Sequence, residues 1–566
     1  MGKRSMPEIG IRAESSATNA PGGVILKNHG PSRADHRITS KESSVDRTKV
    51  NHDEAGKINR RTALKLAGGA GAFSLARGAT VPATAAQSTP VASPELSYPV
   101  LYEEGPITIY DYGMELPTDD VTFRYADHQG VRVPFHEAHH AAFTEAHPNI
   151  TVEYDSLGAD LSELLVIGVQ SGDAHDIMPA NAGFPVPQGV AEGWLAPLDD
   201  VVPDFEQWKA AFPENTFLPG INVFDGKTYT CPMYASKLHR QLLYYSVPLL
   251  EQAGYDPGSK PLTWDEFRDA AKTVSEQGGG DTFGIIIDQG GFGLFVRTLA
   301  ERAGAHGGEF NWVTGDYNYT SEEFLGAIEL LLAIKEDGGI LPGTASLTGT
   351  DVRSRFPQGV GAMWLSGIWN VSIWEQGNPD FDFGVASAPN PNGGTPFPFS
   401  IEPGVGESYV LYSGSEYKEI AGALLAFIGS LEGNVALKEI SHAVNPVAFT
   451  RADEIVELSP IGTKALELND KQLVYQPHPA VRNVETTRVE MELRPVTPGF
   501  NDVVVGLFTG QLSDPKAAMQ DLQDRSNAEL DRAIKAAQEE GAQVSRDDWV
   551  FPDWDPMTDY GLEDYK

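Results

Sequence analysis

The alternation of strand-like and helix-like segments is the feature that most constrains how this chain folds. Residues 106–112 and 150–154 alternate apolar and polar side chains, as half-buried strands do, and residues 135–147 and 161–171 carry apolar residues at helical spacing. Another short strand begins at Asp176. This βαβ order favours a parallel or mixed sheet covered by helices. The sequence has no repeat of fixed period, which excludes a solenoid or a propeller.

The same alternation continues through the second half of the chain. Thr263 followed by Glu266 is a capping box, which predicts that a helix begins at Trp264. Further strands are predicted at 241–245, 283–287 and 361–364, and further helices at 322–336, 420–431 and 515–540. We therefore predict an α/β protein, and its 566 residues are enough for two or more lobes.

Charge is divided unevenly along the chain. The sequence has 42 Lys and Arg against 79 Asp and Glu, a net charge of −37, but residues 1–86 hold 14 basic and 7 acidic side chains, so the remainder carries −44. A surface this acidic repels phosphate backbones and anionic lipid, so we expect no nucleic-acid partner. The single cysteine, Cys231, excludes an intramolecular disulfide and CxxC zinc or redox motifs.

The basic part of the chain has the order of an export signal. Residues 1–56 are polar and lack periodicity, which is typical of a disordered leader or of a start codon assigned too far upstream. Residues 57–86 hold the pair Arg60 and Arg61, a weakly apolar segment and a small-residue exit, as a twin-arginine signal peptide does, although an amphipathic helix is an alternative. A Ser/Thr/Pro-rich spacer follows at 87–104. No cysteine follows the apolar segment, so we expect a periplasmic or extracellular protein without a lipoprotein anchor.

Short motifs in the acidic part follow one another in a known order. They are Ile107-Thr108-Ile109-Tyr110, Pro148-Asn149-Ile150-Thr151-Val152, Asp176-Ile177, Gly193-Trp194-Leu195-Ala196-Pro197-Leu198, Asp225-Gly226-Lys227-Thr228-Tyr229, Leu243-Tyr244-Tyr245, Pro261-Leu262-Thr263-Trp264, and Gly361-Ala362-Met363-Trp364 with Gly367-Ile368-Trp369. In this order they resemble the family 1 extracellular solute-binding proteins, the receptors of carbohydrate ABC importers to which maltose-binding protein belongs. The resemblance implies a periplasmic-binding-protein-like fold, in which two α/β lobes are joined by a multi-crossing hinge with the ligand cleft between them.

The resemblance also implies where the lobes begin and end. Lobe 1 would comprise residues 105–234 and 385–455, and lobe 2 would comprise residues 235–384 and 456–540. The acidic and aromatic segment 541–566 is left as a C-terminal extension that packs back on a lobe or contacts a partner.

The same resemblance, together with the chemistry of sugars, selects candidate binding residues. A sugar offers hydroxyl edges and apolar faces, so a pocket for it needs aromatic platforms and short polar groups. Trp369 matches the tryptophan that stacks on sugar in the maltose-binding branch, and Trp364 lies five residues earlier; packing in the core is the alternative for both. The polar candidates stand at strand ends or in the predicted crossings between lobes, and they are Asn181, Tyr234, Lys237, Asp288, Gln289, Glu407 and Ser408.

One motif is also compatible with an enzyme. Residues 136–140 match H-E-x-x-H, which on a helix places His136 and His140 on one face with Glu137 beside them, as in zinc peptidases. A metzincin would also have Gly at 143 and His at 146, and this chain has neither. The alternatives are a solvated helix face and an adventitious or regulatory metal site at His128, His136, His139, His140 and His147.

These observations lead to one predicted function and two alternatives. The chain has no P-loop, no G-x-S-x-G and no G-x-G-x-x-G between a strand and a helix, so we expect neither a cofactor nor catalysis. We predict a monomeric substrate-binding component of an ABC importer, which captures a carbohydrate or related polyol and delivers it to permease subunits. The alternatives are a secreted zinc-dependent metallopeptidase and a non-transport ligand-sensing or interaction protein on the same fold.

Overall fold

The computed structural model of the chain describes residues 98–128, 130–158, 161–180, 185–404 and 406–565, apart from the side chain at position 162. These residues belong to the second of two units into which the chain divides, residues 90–566. The predicted leader and signal peptide, most of the spacer, and Asn181 lie outside the described residues.

The strands are short, and most of them are buried. They are β1 Val100–Glu104, β2 Ile107–Tyr110, β3 Val121–His128, β4 Ile150–Leu157, β5 Ile177–Pro179, β6 Leu195–Ala196, β7 Val223–Phe224, β8 Lys227–Thr228, β9 Cys231–Pro232, β10 Leu242–Ser246, β11 Phe283–Ile285, β12 Phe310–Asn311, β13 Asp316–Tyr317, β14 Gly361–Ser366, β15 Phe383–Ala386, β16 Phe399–Ile401, β17 Ser408–Tyr412 and β18 Leu473–Tyr475.

The helices cover the sheets and connect the strands. They are α1 Val133–Ala146, α2 Leu161–Ser171, α3 Val186–Ala191, α4 Phe205–Ala210, α5 Val247–Ala253, α6 Trp264–Gln277, α7 Gly291–Ala303, α8 Glu322–Glu336, α9 Gly349–Arg355, α10 Asn370–Gly377, α11 Lys418–Ile428, α12 Leu431–Ser441, α13 Ala452–Ile455, α14 Pro460–Gln472, α15 Pro479–Arg482, α16 Thr486–Glu492, α17 Phe500–Thr509 and α18 Pro515–Glu539. Short 3₁₀ turns lie at Thr344–Ser346, Phe356–Gln358, Arg546–Trp549 and Leu562–Tyr565.

Lobe 1 is built on a mixed sheet with the strand order β4-β3-β5-β17-β6, in which β9 also pairs with β17. β3 and β4 are parallel over their whole length, from Val121 opposite Ile150 to His128 opposite Leu157. β17 is antiparallel to β5, β6 and β9. Apolar side chains of β3, α1, α11 and α12 form one core, in which Tyr125 is fully buried.

Lobe 2 is built on a four-stranded sheet with the order β11-β14-β10-β15. β11 is parallel to β14, whereas β10 is antiparallel to both of its neighbours. Helices α6, α7, α8 and α17 pack with this sheet in one core. The capping box at the start of α6 is confirmed, because the Thr263 side chain accepts a hydrogen bond from Glu266 N and the Glu266 side chain accepts one from Thr263 N.

The C-terminal extension packs on lobe 2. Trp549, Phe551 and Trp554 share a core with α18, with Phe310 in β12 and with Trp312, which directly follows β12. Burial of these aromatic rings decides between the two predicted alternatives in favour of packing on a lobe.

Most predicted elements are confirmed, and the differences have local causes. β3 was not predicted, and the predicted opening strand β2 pairs instead with β1, which lies in the predicted spacer. The predicted helix 420–431 is confirmed as far as Ile428, but its predicted end is wrong. α11 and α12 separate at Gly429, where a Cβ would lie 2.5 Å from the Trp208 ring, and Ser430 caps α12 by accepting from Gly433 N. The return to lobe 1 comes later than residue 385, because β15 lies in the lobe 2 sheet.

In the part of the chain that the structure describes, no single helix is long and apolar enough to cross a membrane. α11 and α12 pass that test of length and composition only as a pair bent by 74°.

Candidate functional site

One edge of the lobe 1 sheet collects the ends of several strands. β3, β4 and β5 run parallel, so their carboxyl ends meet at the same edge. β17 begins there, because Ala180 N, just beyond β5, donates a hydrogen bond of 2.8 Å to Ser408 O. Ligands of open α/β sheets bind at such carboxyl edges.

The lobe 2 sheet has a matching edge. Leu242 at the start of β10 lies opposite Ser366 at the end of β14, and Ala386 at the end of β15 lies opposite Leu243. The segment that enters β10 and the segment that leaves β15 therefore meet at the carboxyl end of β14. Connections between the lobes thus start from this edge.

Among the described residues, three segments pass between the lobes and lie side by side. Met233 N donates to Glu407 O at 2.9 Å, which joins the first crossing to the second. Ala235 N donates to Pro446 O at 2.9 Å, which joins the first crossing to the third. The three crossings form a hydrogen-bonded hinge.

The lobes also touch at a point away from the hinge. Gly220 of lobe 1 has φ +72°, and a Cβ on it would lie 2.6 Å from the carbonyl oxygen of Ala480 in α15 of lobe 2. α16 of lobe 2 packs against α3 of lobe 1. The structure therefore has the lobes in contact.

A buried ion pair lies at the carboxyl end of β3. Asp127 is 0% exposed, and Arg132 Nε donates to its Oδ2 at 2.8 Å and to its Oδ1 at 3.0 Å. The hydroxyls of Tyr409 and Tyr154 donate to Asp127 Oδ2 at 3.1 and 3.2 Å. Burial by itself would raise the pKa of Asp127, but the Arg132 charge and its hydrogen bonds outweigh burial and lower that pKa to about 2.

The same arginine holds a second carboxylate that is open to solvent. Arg132 Nη1 donates to Glu407 Oε2, and His128 Nε2 lies 3.7 Å from that oxygen. The His128 and Glu407 side chains are 34% and 27% exposed. Burial opposes both charges, yet Arg132 lowers the pKa of Glu407 to about 2, and Glu407 raises the pKa of His128 above its usual value. Glu407 is therefore an ionised acceptor at the carboxyl edge of the lobe 1 sheet.

This arrangement can bind polar groups. Asp127 neutralises Arg132, so the negative charge left over rests on Glu407, beside an imidazole that can donate. A carboxylate fixed in this way accepts hydrogen bonds from hydroxyl or amine donors without rearranging.

The lobe 2 edge presents an aromatic face and a buried amide. Trp369 is half-buried, and its indole lies over Gly367, where a Cβ would come within 2.1 Å of the ring. Asn370 is buried: its amide nitrogen donates to Ser366 Oγ and Gly367 O, and its Oδ1 accepts from Arg353 Nε at 2.8 Å. The packing of the indole on Gly367 fixes the plane of the ring.

Two other predicted residues lie at the end of β11. Asp288 is half-buried, and its Oδ1 accepts from Gly290 N at 3.1 Å, so the carboxylate also fixes the turn before α7. Gln289 is exposed, and its backbone carbonyl accepts from Asn501 Nδ2 at 3.0 Å. Burial lowers the pKa of Arg353, and the negative charge of Asp288 opposes this change.

Trp364 and Ser408 do not offer their side chains to the cleft. Trp364 is 3% exposed and packs with Phe356 and Trp374 in the core, so no face of its ring is open to a ligand. Ser408 is buried in β17, and its hydroxyl donates to Gly406 O at 2.7 Å. The structure therefore has Trp364 packed in the core, which was the alternative to sugar stacking.

Lys237 and Tyr234, which stand in the first crossing, are also occupied or enclosed. Lys237 Nζ donates to Asp559 Oδ2 at 2.7 Å in the C-terminal extension, so its charge is paired within the chain. Tyr234 is 2% exposed, and its hydroxyl has no hydrogen-bond partner among the described residues. A cavity of about 120 Å³ lies beside it, lined also by Ser236, Gly406 and Tyr475.

The H-E-x-x-H motif does not form a metal site. His136 and His140 point into the core of lobe 1 against Tyr125 and Tyr154, whereas Glu137 is exposed. Burial lowers the pKa of His136 to about 4 and that of His140 well below its usual value. Within the described ranges, no group of three or more His, Cys, Asp or Glu side chains is placed to hold a metal ion. The zinc-peptidase alternative lacks the accessible metal site that it requires.

Sequence reasoning missed the residues that organise the site. Asp127 and Arg132 were not selected, because β3 was not predicted and the carboxylate they hold is 275 positions from Arg132 in the sequence. Asn370 directly follows the Gly367-Ile368-Trp369 motif, so its side-chain amide could have been predicted as a binding group beside the Trp369 ring. Arg353 gave no signal in the sequence.

Comparison with known proteins places the chain among binding proteins. The family described as bacterial extracellular solute-binding protein matches residues 126–435. A binding protein of Brucella abortus (strain 2308) is 28% identical over 320 residues, which are 55% of this chain and 72% of that protein. An uncharacterized ABC transporter extracellular-binding protein of Pyrococcus horikoshii is 21% identical over 347 residues, 59% of this chain and 73% of that one.

Two solved structures have a similar fold. An ABC transporter solute-binding protein of Thermotoga lettingae, bound with α-D-tagatose, has a TM-score of 0.57 and 21% identity, and the match covers 73% of this chain and 100% of that one. The GacH receptor of Streptomyces glaucescens, solved unliganded and with acarbose, has a TM-score of 0.56 and 18% identity, covering 72% of this chain and 98% of that one. Both likenesses confirm the predicted two-lobed α/β fold.

Proposed function

Because the chain belongs to the bacterial extracellular solute-binding protein family, we propose that it captures a carbohydrate or related polyol and delivers it to the permease subunits of an ABC importer. The observation that carries this proposal is the ionised Glu407, held by the buried Arg132 and open to solvent beside His128 at the cleft edge. A fixed acceptor next to a donor matches the vicinal hydroxyls of a sugar.

The proposed pocket has one wall from each lobe. Lobe 1 supplies Glu407 and His128, and lobe 2 supplies the indole face of Trp369 with the carboxylate of Asp288 near Arg353. An aromatic ring stacks on the apolar face of a sugar while polar groups bind its hydroxyl edge. The tagatose and acarbose found in the two similar structures support this ligand class.

Closure of the lobes is proposed as the capture step. The hydrogen-bonded crossings act as the hinge, and the Gly220–Ala480 contact limits how far the lobes approach. A ligand that touches both lobes would favour the closed arrangement by its greater affinity for it. We further propose that the twin-arginine segment at 57–86 directs export to the periplasm or the cell exterior, and that the receptor is monomeric.

A binding panel tests the proposal directly. We expect glucose, maltose, maltotriose, stachyose or tagatose to produce a heat of binding and a change in Trp fluorescence in the purified protein. Absence of both signals across monosaccharides, oligosaccharides and polyols would overturn the carbohydrate assignment. The sensing alternative differs in one respect, since purified permease subunits would then not respond to the loaded protein.

Two substitutions locate the site once a sugar binds. Glu407→Gln removes the charge of the acceptor and should weaken binding roughly tenfold or more. Trp369→Ala removes the stacking face and should weaken binding by a similar factor, roughly tenfold. The matched control is Glu192→Gln, an exposed carboxylate of lobe 1, which should leave the affinity unchanged.

A further inference from the structure

The C-terminal extension is bonded to the first of the three hinge segments and to the end of β18. Asp559 Oδ1 accepts a hydrogen bond of 2.9 Å from Tyr475 N, at the end of β18. Lys237 Nζ donates to Asp559 Oδ2 at 2.7 Å from the first crossing and lies 4.6 Å from the centre of the Tyr475 ring. One carboxylate thus joins the first crossing to the segment that follows the third.

Lys237 stands where the first crossing changes lobes. Ala235, two residues before it, is bonded to Pro446, and Leu238, the residue after it, lies in a core of lobe 2. His239 N donates to Asn469 Oδ1 at 2.9 Å in α14, which also belongs to lobe 2. Asp559 therefore holds the lobe 2 end of this crossing.

The extension also supports the element that touches lobe 1. In α15, Ala480 meets Gly220 of lobe 1, and Arg482 Nη1 donates to Val550 O at 2.9 Å in the extension. The Arg482 guanidinium lies 3.6 Å from the centre of the Phe551 ring. The extension thus contacts, through Arg482, the same short helix whose Ala480 meets lobe 1.

The extension is anchored along its length, so we expect it to move as a rigid unit. Its rings at Trp549, Phe551 and Trp554 are buried in a core shared with α18 and the β12–β13 region. Further along, Tyr560 N donates to Tyr475 O at 3.0 Å, and the Tyr565 hydroxyl accepts from His478 N at 2.9 Å. These bonds make a continuous support along residues 475–482.

We propose that residues 541–565 are a strap that stabilises the arrangement with the lobes in contact, with the Lys237–Asp559 pair as its hold on the hinge. The strap holds the lobe 2 end of the first crossing and α15, the helix that touches lobe 1, on one support. Loss of the Asp559 bonds would free that end of the crossing to change its angle, which favours opening of the lobes. The proposal rests on lobes that open and close, as capture requires, and it is independent of which solute is bound.

The test measures lobe opening without any ligand. Spin labels on Glu137→Cys in lobe 1 and Lys272→Cys in lobe 2, both exposed positions, report the distance between lobes, and the buried Cys231 stays unlabelled. Asp559→Asn and Asp559→Ala should each raise the population at longer distances roughly twofold to fivefold, the range for a partly exposed ion pair. Asp553→Asn, an exposed carboxylate of the same extension, is the control and should leave the distribution unchanged.

Hydrogen exchange at the Tyr475 amide reports the Asp559 bond itself, and it is measured in Asp559→Ala, because the side-chain oxygen of an Asn could still accept from that amide. Faster exchange together with a more open distribution in Asp559→Ala supports the strap. Faster exchange with an unchanged distribution overturns it, because the bond would then have no influence on the lobes. Unchanged exchange also overturns it, because the bond would not be formed. A failed sugar panel would leave these results standing, so the two proposals fail separately.

Discussion

Replacement of a buried histidine should make the protein more stable in acid. His140 in α1 is 4% exposed, and neither of its ring nitrogens has a hydrogen-bond partner among the described residues. Its ring packs on Tyr125, with centroids 4.7 Å apart, and on Tyr154. Burial first, and then the neighbouring His136, lower the pKa of His140 well below its usual value. We therefore choose His140→Leu, which keeps a similar volume.

The sign and size of the pH effect follow from proton linkage. His140 is neutral in the fold, whereas the unfolded chain takes up a proton on it as the pH falls through 6.5. The unfolded state then binds more protons, so the free energy of unfolding decreases by about 1.4 kcal/mol per pH unit for this one residue. Between pH 7 and pH 5 the loss is about 2 kcal/mol. At pH 7, removal of two unpartnered ring nitrogens should itself add about 1 kcal/mol.

Urea unfolding followed by Trp fluorescence at pH 7, 6 and 5 measures both effects. His140→Leu should unfold at higher urea than the parent protein at pH 7, and its advantage should grow by about 2 kcal/mol at pH 5. Asp127 stays ionised throughout, because its pKa is about 2. His442→Asn is the control: His442 is exposed and has φ +48°, which asparagine also adopts, so neither effect is expected. An advantage of His140→Leu that is equal at pH 7 and pH 5 would refute the reasoning.

Three further substitutions test separate parts of the structure. Arg132→Met leaves the carboxylate of Asp127 buried and unpaired, so urea unfolding should show a loss of about 3 to 5 kcal/mol. Gly220→Ala introduces a Cβ 2.6 Å from Ala480 O at φ +72°, so the spin-label distances between the lobes should lengthen; an unchanged distribution would contradict the contact. Thr263→Ala removes the capping box of α6 and should lower the free energy of unfolding by about 1 kcal/mol.

The helices whose bounds were predicted well from the sequence begin directly after a residue that caps them. α8 begins after Ser321, which caps it, and its bounds match the predicted 322–336. α18 begins at Pro515 after the capping Asp514 and ends one residue before the predicted position. In such segments the local preference and the tertiary fold agree, so periodicity and caps suffice.

β3 shows why periodicity failed at the site. Its first half alternates, with Phe123 buried and Thr122 exposed, but Tyr125, Ala126 and Asp127 are buried in succession. A buried carboxylate at a strand end breaks the alternation that identifies a strand, and only its pairing with Arg132 makes that burial tolerable. The burial of Asp127 therefore interrupts the periodicity from which β3 could have been predicted.

The Asp127–Arg132–Glu407 arrangement is better explained by positioning than by stability. A buried ion pair generally contributes little to stability in comparison with apolar packing, because both charges lose their hydration. Here Asp127, fully buried and bonded to two tyrosines, fixes the guanidinium, and the remaining nitrogen of that guanidinium fixes Glu407, which is 27% exposed. The buried Asp127 and Arg132 thus hold the partly exposed carboxylate of Glu407 in one position. An acceptor held in one position loses little conformational entropy when a solute binds, which favours selective capture.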